Sequence, residues 1–416
     1  MERLIGVLGI AAILAIAWLW SYKRRAISYK PVVVGLALQV LFAIAVLKAP
    51  LVHEGFQRLA DGATRLVQLS SEGAGFLLGS SAGKAAAPVA GTDGAPSGIA
   101  LLGEVLCVRI LPPIIFFSAL TSLLYYLGIL QRMVRAAAFA MTKLMGVSGA
   151  EALSAATNTV VGMTEAPLIV KPHIPALTDS ELFAVMAGGF ASSAGGVLAL
   201  YVSFGVEARY VLAASFMAAP GSLALAKLML PETETPLTAG VVRAHYEKTD
   251  RNAIEAFASG TTTGLHLALN VAAMLITFIA AIALVNVILG VFHDGLTLQR
   301  ILGWVFRPIA FLLGAPAGEA AALAELLGTK MAVNEVVAYG AFKELAAAGA
   351  LSERTCAIAS FALCGFANLG SIGIQIGGLG VLAPDRRKDL ARFGFKAMCA
   401  GAMVAWINGA LAGLLL

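Results

Sequence analysis

The sequence predicts an all-α polytopic membrane protein with eight transmembrane helices, two opposed re-entrant hairpins, interfacial helices and inverted repeats. Three observations carry that prediction. Of 416 residues, 59% are hydrophobic and 13% charged, where soluble domains carry roughly 25% charged residues. Apolar runs long enough to cross a bilayer, about 20 residues each, recur along the chain. Between them lie two moderately apolar segments, each interrupted by a glutamate, Glu165 and Glu335. A charge there costs at least roughly 2.5–3.5 kcal/mol in hydrocarbon.

The apolar runs fall at 3–20, 31–49, 100–128, 181–204, 209–229, 264–291, 355–382 and 394–415. The first has no small-x-small cleavage site, and its basic residues Lys23, Arg24 and Arg25 follow it. It is therefore expected as a first transmembrane helix with its N-terminus outside, not as a signal peptide. Residues 51–75 are amphipathic, with His53, Glu54, Arg58, Asp61 and Arg65 against an apolar face, and predict a helix lying in the interface. Residues 129–146 and 298–313 predict two more. Residues 78–98, rich in Gly, Ala, Ser and Pro, read as a loop, and 230–256 as a solvated loop.

The net charge of +5 calls for no nucleic acid, because the basic residues cluster at the ends of apolar runs. Lys23, Arg24, Arg25 and Lys30 follow the first run. Arg132 and Arg135 follow the third, and Arg386, Arg387, Lys388, Arg392 and Lys396 precede the eighth. With eight spans all three clusters fall on the cytoplasmic side and both termini outside. The four cysteines form no CxxC pair and the five histidines no HExxH motif, so neither a disulfide framework nor a zinc site is expected. No nucleophile–base pair points to an enzyme.

Segments 150–174 and 315–345 are too interrupted to span. Each is expected to enter the membrane, turn at a polar tip and leave on the same side, which is tolerated only where protein or a water-filled cavity covers it. They also head two related stretches. Thr164-Glu165 is followed by Leu177-Thr178 and then Gly188-Gly189-Phe190-Ala191-Ser192-Ser193. Asn334-Glu335 is followed by Leu351-Ser352 and then Cys364-Gly365-Phe366-Ala367-Asn368-Leu369. By the charge count the first hairpin enters from the cytoplasm and the second from outside. Inverted repeats with interrupted helices are the architecture of secondary transporters. Asn368 and Ser371 lie in a helix that Gly365, Gly370 and Gly373 would let unwind. Carboxylate, amide and hydroxyl groups together suit a ligand rich in hydroxyls, and Phe366 offers a surface for a flat ring.

The motifs Val161-Gly162-Met163-Thr164-Glu165-Ala166-Pro167, Asn334-Glu335-Val336-Val337-Ala338-Tyr339 and Cys364-Gly365-Phe366-Ala367-Asn368-Leu369-Gly370-Ser371 resemble signatures of the concentrative nucleoside transporter family. The likeness extends through Glu181–Met186 and Ala213–Gly221, over nearly the whole chain. It implies a bacterial member in the cytoplasmic (inner) membrane and ion-driven uptake of nucleosides by elevator-like movement. It also implies a homotrimer in the lipid bilayer. On this resemblance residues 1–128 supply scaffold helices one to three with an interfacial helix. Residues 129–230 form the first transport repeat, 231–297 a cytoplasmic loop and scaffold helix six, and 298–416 the second repeat.

The resemblance also implies roles. Thr164 and Glu165 face the nucleobase, Val197 and Phe366 line it, and Glu335, Asn368 and Ser371 hold the ribose hydroxyls. A sodium site would use Asn158, Val161, Ser192 and Ser193, hard oxygen donors without a dedicated carboxylate. The presence of Asn158 and Ser192 favours sodium over protons. The alternative is proton coupling through Glu165 or Glu335, with broad or pyrimidine specificity. Many members have glutamine where this chain has Met163, whose thioether cannot read the polar edge of a base. A purine-nucleoside preference is expected.

Overall fold

The computed structural model describes residues 2–49, scattered helical positions between 54 and 76, and residues 86–90, 96–101, 106–163, 165–193, 195–240 and 250–416. Among the described residues the fold is helical apart from one short β-hairpin. α1 (Glu2–Leu19) and α2 (Tyr29–Lys48) come first. The described part of the predicted interfacial helix at 51–75 is helical, and the rest of it, His53 included, lies outside the described residues. Across the stretch expected as a loop, 78–98, and into the start of the run expected to span at 100–128, β1 (Ala86–Ala90) pairs antiparallel with β2 (Pro96–Leu101), Ala86 opposite Leu101. The Asp93-Gly94 dipeptide between them is a hairpin-turn signal that the compositional reading passed over.

α3 (Leu106–Tyr126) ends at Gly128, whose φ of +76° turns the chain into α4 (Ile129–Met145), at 74° to α3. α4 buries Leu130, Val134, Ala138, Met141 and Met145 and exposes Arg132, Met133, Arg135 and Phe139. That spacing of three and four gives one apolar face, as the sequence of 129–146 predicts.

Then follow α5 (Gly149–Asn158), a 3-10 stretch (Ala166–Ala176), α6 (Asp179–Ala191), α7 (Gly195–Ser203) and α8 (Ala208–Met229). The second half has α9 (Ala253–Phe292), α10 (Leu298–Leu312), α11 (Ala320–Ala332), α12 (Glu335–Ala347), α13 (Glu353–Ala362), α14 (Leu369–Leu382) and α15 (Arg387–Leu415). Two predicted spans are thus broken in the middle, 181–204 into α6 and α7, and 355–382 into α13 and α14. Among the described residues α2, α8 and Pro384–Leu415 are long and apolar enough to cross a membrane as single helices, and the bent pair α3–α4 would add a fourth.

Side-chain contacts define two ends of the molecule. At one end Lys396 Nζ donates to the Trp20 carbonyl (3.2 Å) and lies over the Tyr22 ring, while the Tyr22 N–H donates to Met229 O (2.9 Å). The first and third basic clusters therefore share this end. The base of α5 and α6 is there too. Ser148 and Glu151 form a capping box on α5, and Thr178 and Glu181 one on α6, each satisfying helix N–H groups that would otherwise be orphaned. Lys227 ties both bases together, 2.8 Å from Glu151 Oε2 and 2.9 Å from Ser180 Oγ. Arg386 donates to Leu177 O (2.5 Å) and Asp179 (2.9 Å).

The opposite end holds the base of α11 and α13. Glu319 accepts from the Ser352 backbone N–H (3.0 Å), and Arg354 donates to Gly314 O (3.2 Å). Gly9 near the start of α1 backs onto the Leu312 carbonyl, and Gly413 near the end of α15 approaches Leu313 O. The segment 149–178 therefore rises from one end and the segment 320–352 from the other.

α1 packs on α15, and α2 packs on α8, where Gln39 Nε2 donates to Asn408 Oδ1 of α15 at 2.5 Å. α3 instead pairs with α9. Gly260 and Gly264 let those backbones touch: a Cβ on Gly260 would fall 2.8 Å from Ala119 Cα, and one on Gly264 2.8 Å from Ile115 Cα. Small residues at such crossings are how helices associate in lipid, where apolar burial offers no net drive. Gly260→Leu is expected to lower stability by roughly 1–3 kcal/mol. Gly290→Leu, on the same helix with open space around it, is expected to be neutral. Thermal unfolding of the detergent-purified protein checks both.

Candidate functional site

Four helix ends meet in the interior. α6 stops at Ala191 and α13 at Ala362, and their continuations α7 and α14 start after short breaks. A buried helix end leaves its last carbonyls and first N–H groups without partners, so the breaks must satisfy each other. The Phe366 N–H donates to Ser192 O at 3.3 Å, joining one break to the other. Gly365 makes this approach possible. Its φ is +95°, and a Cβ there would lie 2.6 Å from Ala191 O, so both its conformation and its contact exclude a side chain.

Asn368 is the N-cap of α14. Its Oδ1 accepts from the Ser371 N–H (2.9 Å), and its Nδ2 donates to Glu335 Oε2 (3.2 Å). Glu335 is the first residue of α12, behind Asn334, which caps that helix through the Val337 N–H (2.9 Å). Glu335, Asn368 and Ser371 are all buried, so the fold brings the three together in one hydrogen-bonded chain. Helix N-termini carry partial positive charge, which favours the Glu335 carboxylate where it stands. Phe366 is half-buried beside them.

The first break collects the second group. Asn158 ends α5 and is buried; its Nδ2 donates to Ser154 O (3.1 Å), while its Oδ1 has no protein partner. A Cβ on Gly188 would lie 3.6 Å from Asn158 Nδ2. Ser192 belongs to the same locus, because its Oγ donates to the Gly188 carbonyl at 2.9 Å. A hydroxyl that spends its proton this way keeps its lone pairs for a cation. An orphaned buried acceptor costs roughly 1–3 kcal/mol, so Asn158 Oδ1 suits a cation-binding position. The backbone at Val161 is fixed by its N–H to Thr157 O (3.0 Å), and Val160 O accepts from Gly195 (3.0 Å). Ser193 leans the other way, with its Oγ 3.2 Å from Cys364 Sγ and 3.5 Å from Ser215 Oγ.

The remaining sequence-predicted residues separate. Glu165 is exposed and lines a cavity of about 640 Å³ with Val161, Gly162 and Lys171, facing Ser118 and Tyr125 of α3 and Thr263 of α9. Met163 is buried against α6, its Cβ 2.9 Å from where a Gly189 Cβ would stand. Val197 is buried on α7. Thr164 lies outside the described residues.

A sequence profile described as the N-terminus of Na+ dependent nucleoside transporters matches residues 8–81, and the corresponding C-terminal profile matches 210–413. A nucleoside recognition profile matches 107–208. The nucleoside permease NupC of Helicobacter pylori is 41% identical over 99% of this chain and 98% of that protein. The chain belongs to the concentrative nucleoside transporter family.

The sodium/nucleoside cotransporter 2 of Rattus norvegicus is 37% identical over 100% of this chain, which spans 63% of that longer protein. A solved structure of CNTnw in an inward-facing substrate-bound state is 43% identical and matches with a TM-score of 0.89, over 100% of this chain and 98% of that one. The chain is accordingly a membrane transporter of nucleosides, from a family of transporters rather than enzymes.

Within this transporter two interior residues escaped the sequence reading. Gln375 is buried, donates to Met186 O at 2.9 Å, and would be struck by a Cβ on Gly189. It sits one turn beyond Ser371, a helical spacing that could have flagged it. Lys330, inside the interrupted segment 315–345, is fully buried and bonded to the second break. Gly365→Ala is expected to lower stability by roughly 1–3 kcal/mol and to weaken nucleoside binding. Gly373→Ala, inside α14 with nothing within 4 Å, is expected to do neither. Thermal melts and equilibrium binding of labelled nucleoside separate the two.

Proposed function

We propose that the protein is a sodium-coupled nucleoside symporter of the bacterial inner membrane, with a preference for purine nucleosides. The observation that carries the reading is the meeting of both broken helices beside Glu335–Asn368–Ser371 on one side and Asn158–Ser192 on the other. The first trio offers a carboxylate, an amide and a hydroxyl to the ribose diol, and charge-assisted bonds to the carboxylate are the strong ones. Phe366 and Val197 flank the base, with Thr164 and Glu165 contributing from the first hairpin. Asn158, Ser192 and the backbone near Val161 take the sodium ion, with Ser193 in an outer position. The description of the matching profiles as Na+ dependent supports sodium over protons.

In this reading the segments 150–174 and 315–345 are re-entrant hairpins in two inverted repeats, a reading supported by their bases lying at opposite ends. Eight spans put the basic clusters in the cytoplasm and both termini outside. The protein works as a homotrimer, and the repeats move as an elevator against a scaffold. The packing supports α3 and α9 as that scaffold. The sequence grouping adds α1 and α2 to it, but these pack on α15 and α8 and travel with the repeats. The cavity between the α3–α9 pair and the first hairpin is the boundary along which the two parts slide.

The purine preference rests on Met163, an apolar, polarisable side chain where an amide would read a pyrimidine edge. Uptake into proteoliposomes under a sodium gradient without a pH gradient tests the coupling: no accumulation there removes the sodium reading. For specificity, inosine and guanosine are expected to displace labelled adenosine more strongly than uridine does. Met163→Gln is expected to improve uridine relative to adenosine by about tenfold, the worth of one hydrogen bond. An unchanged ratio excludes this residue as the base reader.

A further inference from the structure

We propose that Lys330 is a tethered cation, which does for the second half of the site what the transported sodium ion does for the first; the inference rests on the repeat and sodium readings above. Lys330 stands in the last turn of α11 and is fully buried. Its Nζ donates to Ala362 O at 3.0 Å and to Cys364 O at 2.9 Å. Ala362 is the last residue of α13 and Cys364 lies two residues past it, and at such an end a helix concentrates partial negative charge and leaves its acceptors unpaired.

The first half has no lysine at this place, and its spare acceptor is a side chain. Setting Gly188-Gly189-Phe190-Ala191-Ser192 against Cys364-Gly365-Phe366-Ala367-Asn368 places Gly188 opposite Cys364. The Gly188 carbonyl is already covered, by the Ser192 N–H (3.3 Å) and Ser192 Oγ (2.9 Å), and the acceptor left over beside Gly188 is Asn158 Oδ1, which has no protein partner. Setting Thr164-Glu165 against Asn334-Glu335 places Val160 opposite Lys330. One half therefore carries a lysine whose ammonium reaches the helix end. The other carries an apolar side chain at that position and an unpaired oxygen near the helix end. A site whose cation is covalently attached needs no second ion, so each nucleoside should travel with a single sodium ion. The fixed ammonium also holds the 363–368 break, and with it Phe366 and Asn368, in the binding geometry whether or not sodium is present. Lys330 is in this sense a positioning residue.

The test measures nucleoside binding and uptake over a sodium titration in proteoliposomes for the wild type, Lys330→Met and Lys330→Arg. The wild type is expected to take one sodium per nucleoside, counted with labelled sodium. Lys330→Met is expected to bind nucleoside roughly tenfold more weakly, the loss of a charge-assisted bond. Its Hill coefficient for sodium is expected to rise from about one toward about two, as a second ion fills the vacated position. Lys330→Arg, which keeps the charge, is expected to retain a coefficient of about one. A helix cap alone would change stability but not the sodium order. A sodium-dependent wild type whose Lys330→Met variant keeps the same sodium order and affinity overturns this proposal alone. A wild type indifferent to sodium overturns the coupling reading and this proposal with it. Should Lys330→Met fail to fold, the wild-type count decides: two sodium ions per nucleoside overturn the tethered cation, and one supports it.

Discussion

A helix that stops inside an apolar interior strands its terminal peptide groups, and lipid offers no water to receive them. This chain stops two helices there, at Ala191 and Ala362. The surrounding structure answers that constraint. The Phe366 N–H finds Ser192 O, Ser192 Oγ finds Gly188 O, and Lys330 finds Ala362 O and Cys364 O. Asn368 covers the start of α14 and reaches Glu335 with the other end of its amide. Asn158 Oδ1 is left without a protein partner, as is Gln375 Oε1. The same polar groups that make the breaks tolerable are those a hydroxylated solute and a small cation can engage.

Close packing makes the arrangement rigid. The Gly401 position on α15 backs directly onto Phe190, where a Cβ would come within 2.5 Å of the Phe190 Cβ, and Gly409 lies against Ala362. α15 thus braces both broken helices at once. Tyr339 of the second hairpin donates to Ser360 O and stacks on Tyr201 of α7, with ring centroids 4.5 Å apart. The α3–α9 pair holds together through its own glycines, and it meets this body where α3 packs on α7, with the large cavity lying beside that contact.

Much of this was legible in the linear chain. Apolar length marked most of the long helices, and basic clusters marked the end where Lys396 meets Trp20. The paired Gly-Phe-Ala motifs marked where the helices break. The break in the second half falls at 363–368, around Gly365, while Gly370 and Gly373 lie inside α14. Composition alone concealed the β1–β2 hairpin, because small residues and prolines suit a loop as well as a short strand. The grouping of α1 and α2 was also not legible: an apolar helix does not state which neighbour it packs on.

Local chemistry, then, was written in the sequence by itself: which segments are apolar, where a carboxylate interrupts them, and which turns carry caps. These depend on residues a few positions apart. Only the tertiary structure decided which of the marked residues meet. It joined Glu335 to Asn368 and Phe366 to Ser192, left Glu165 at a cavity wall, and folded Met163 against α6. It also gave Lys330 its partners, 32 and 34 residues away. The reason is that a buried polar group is defined by its partner, and the partner is chosen by packing across the chain rather than along it.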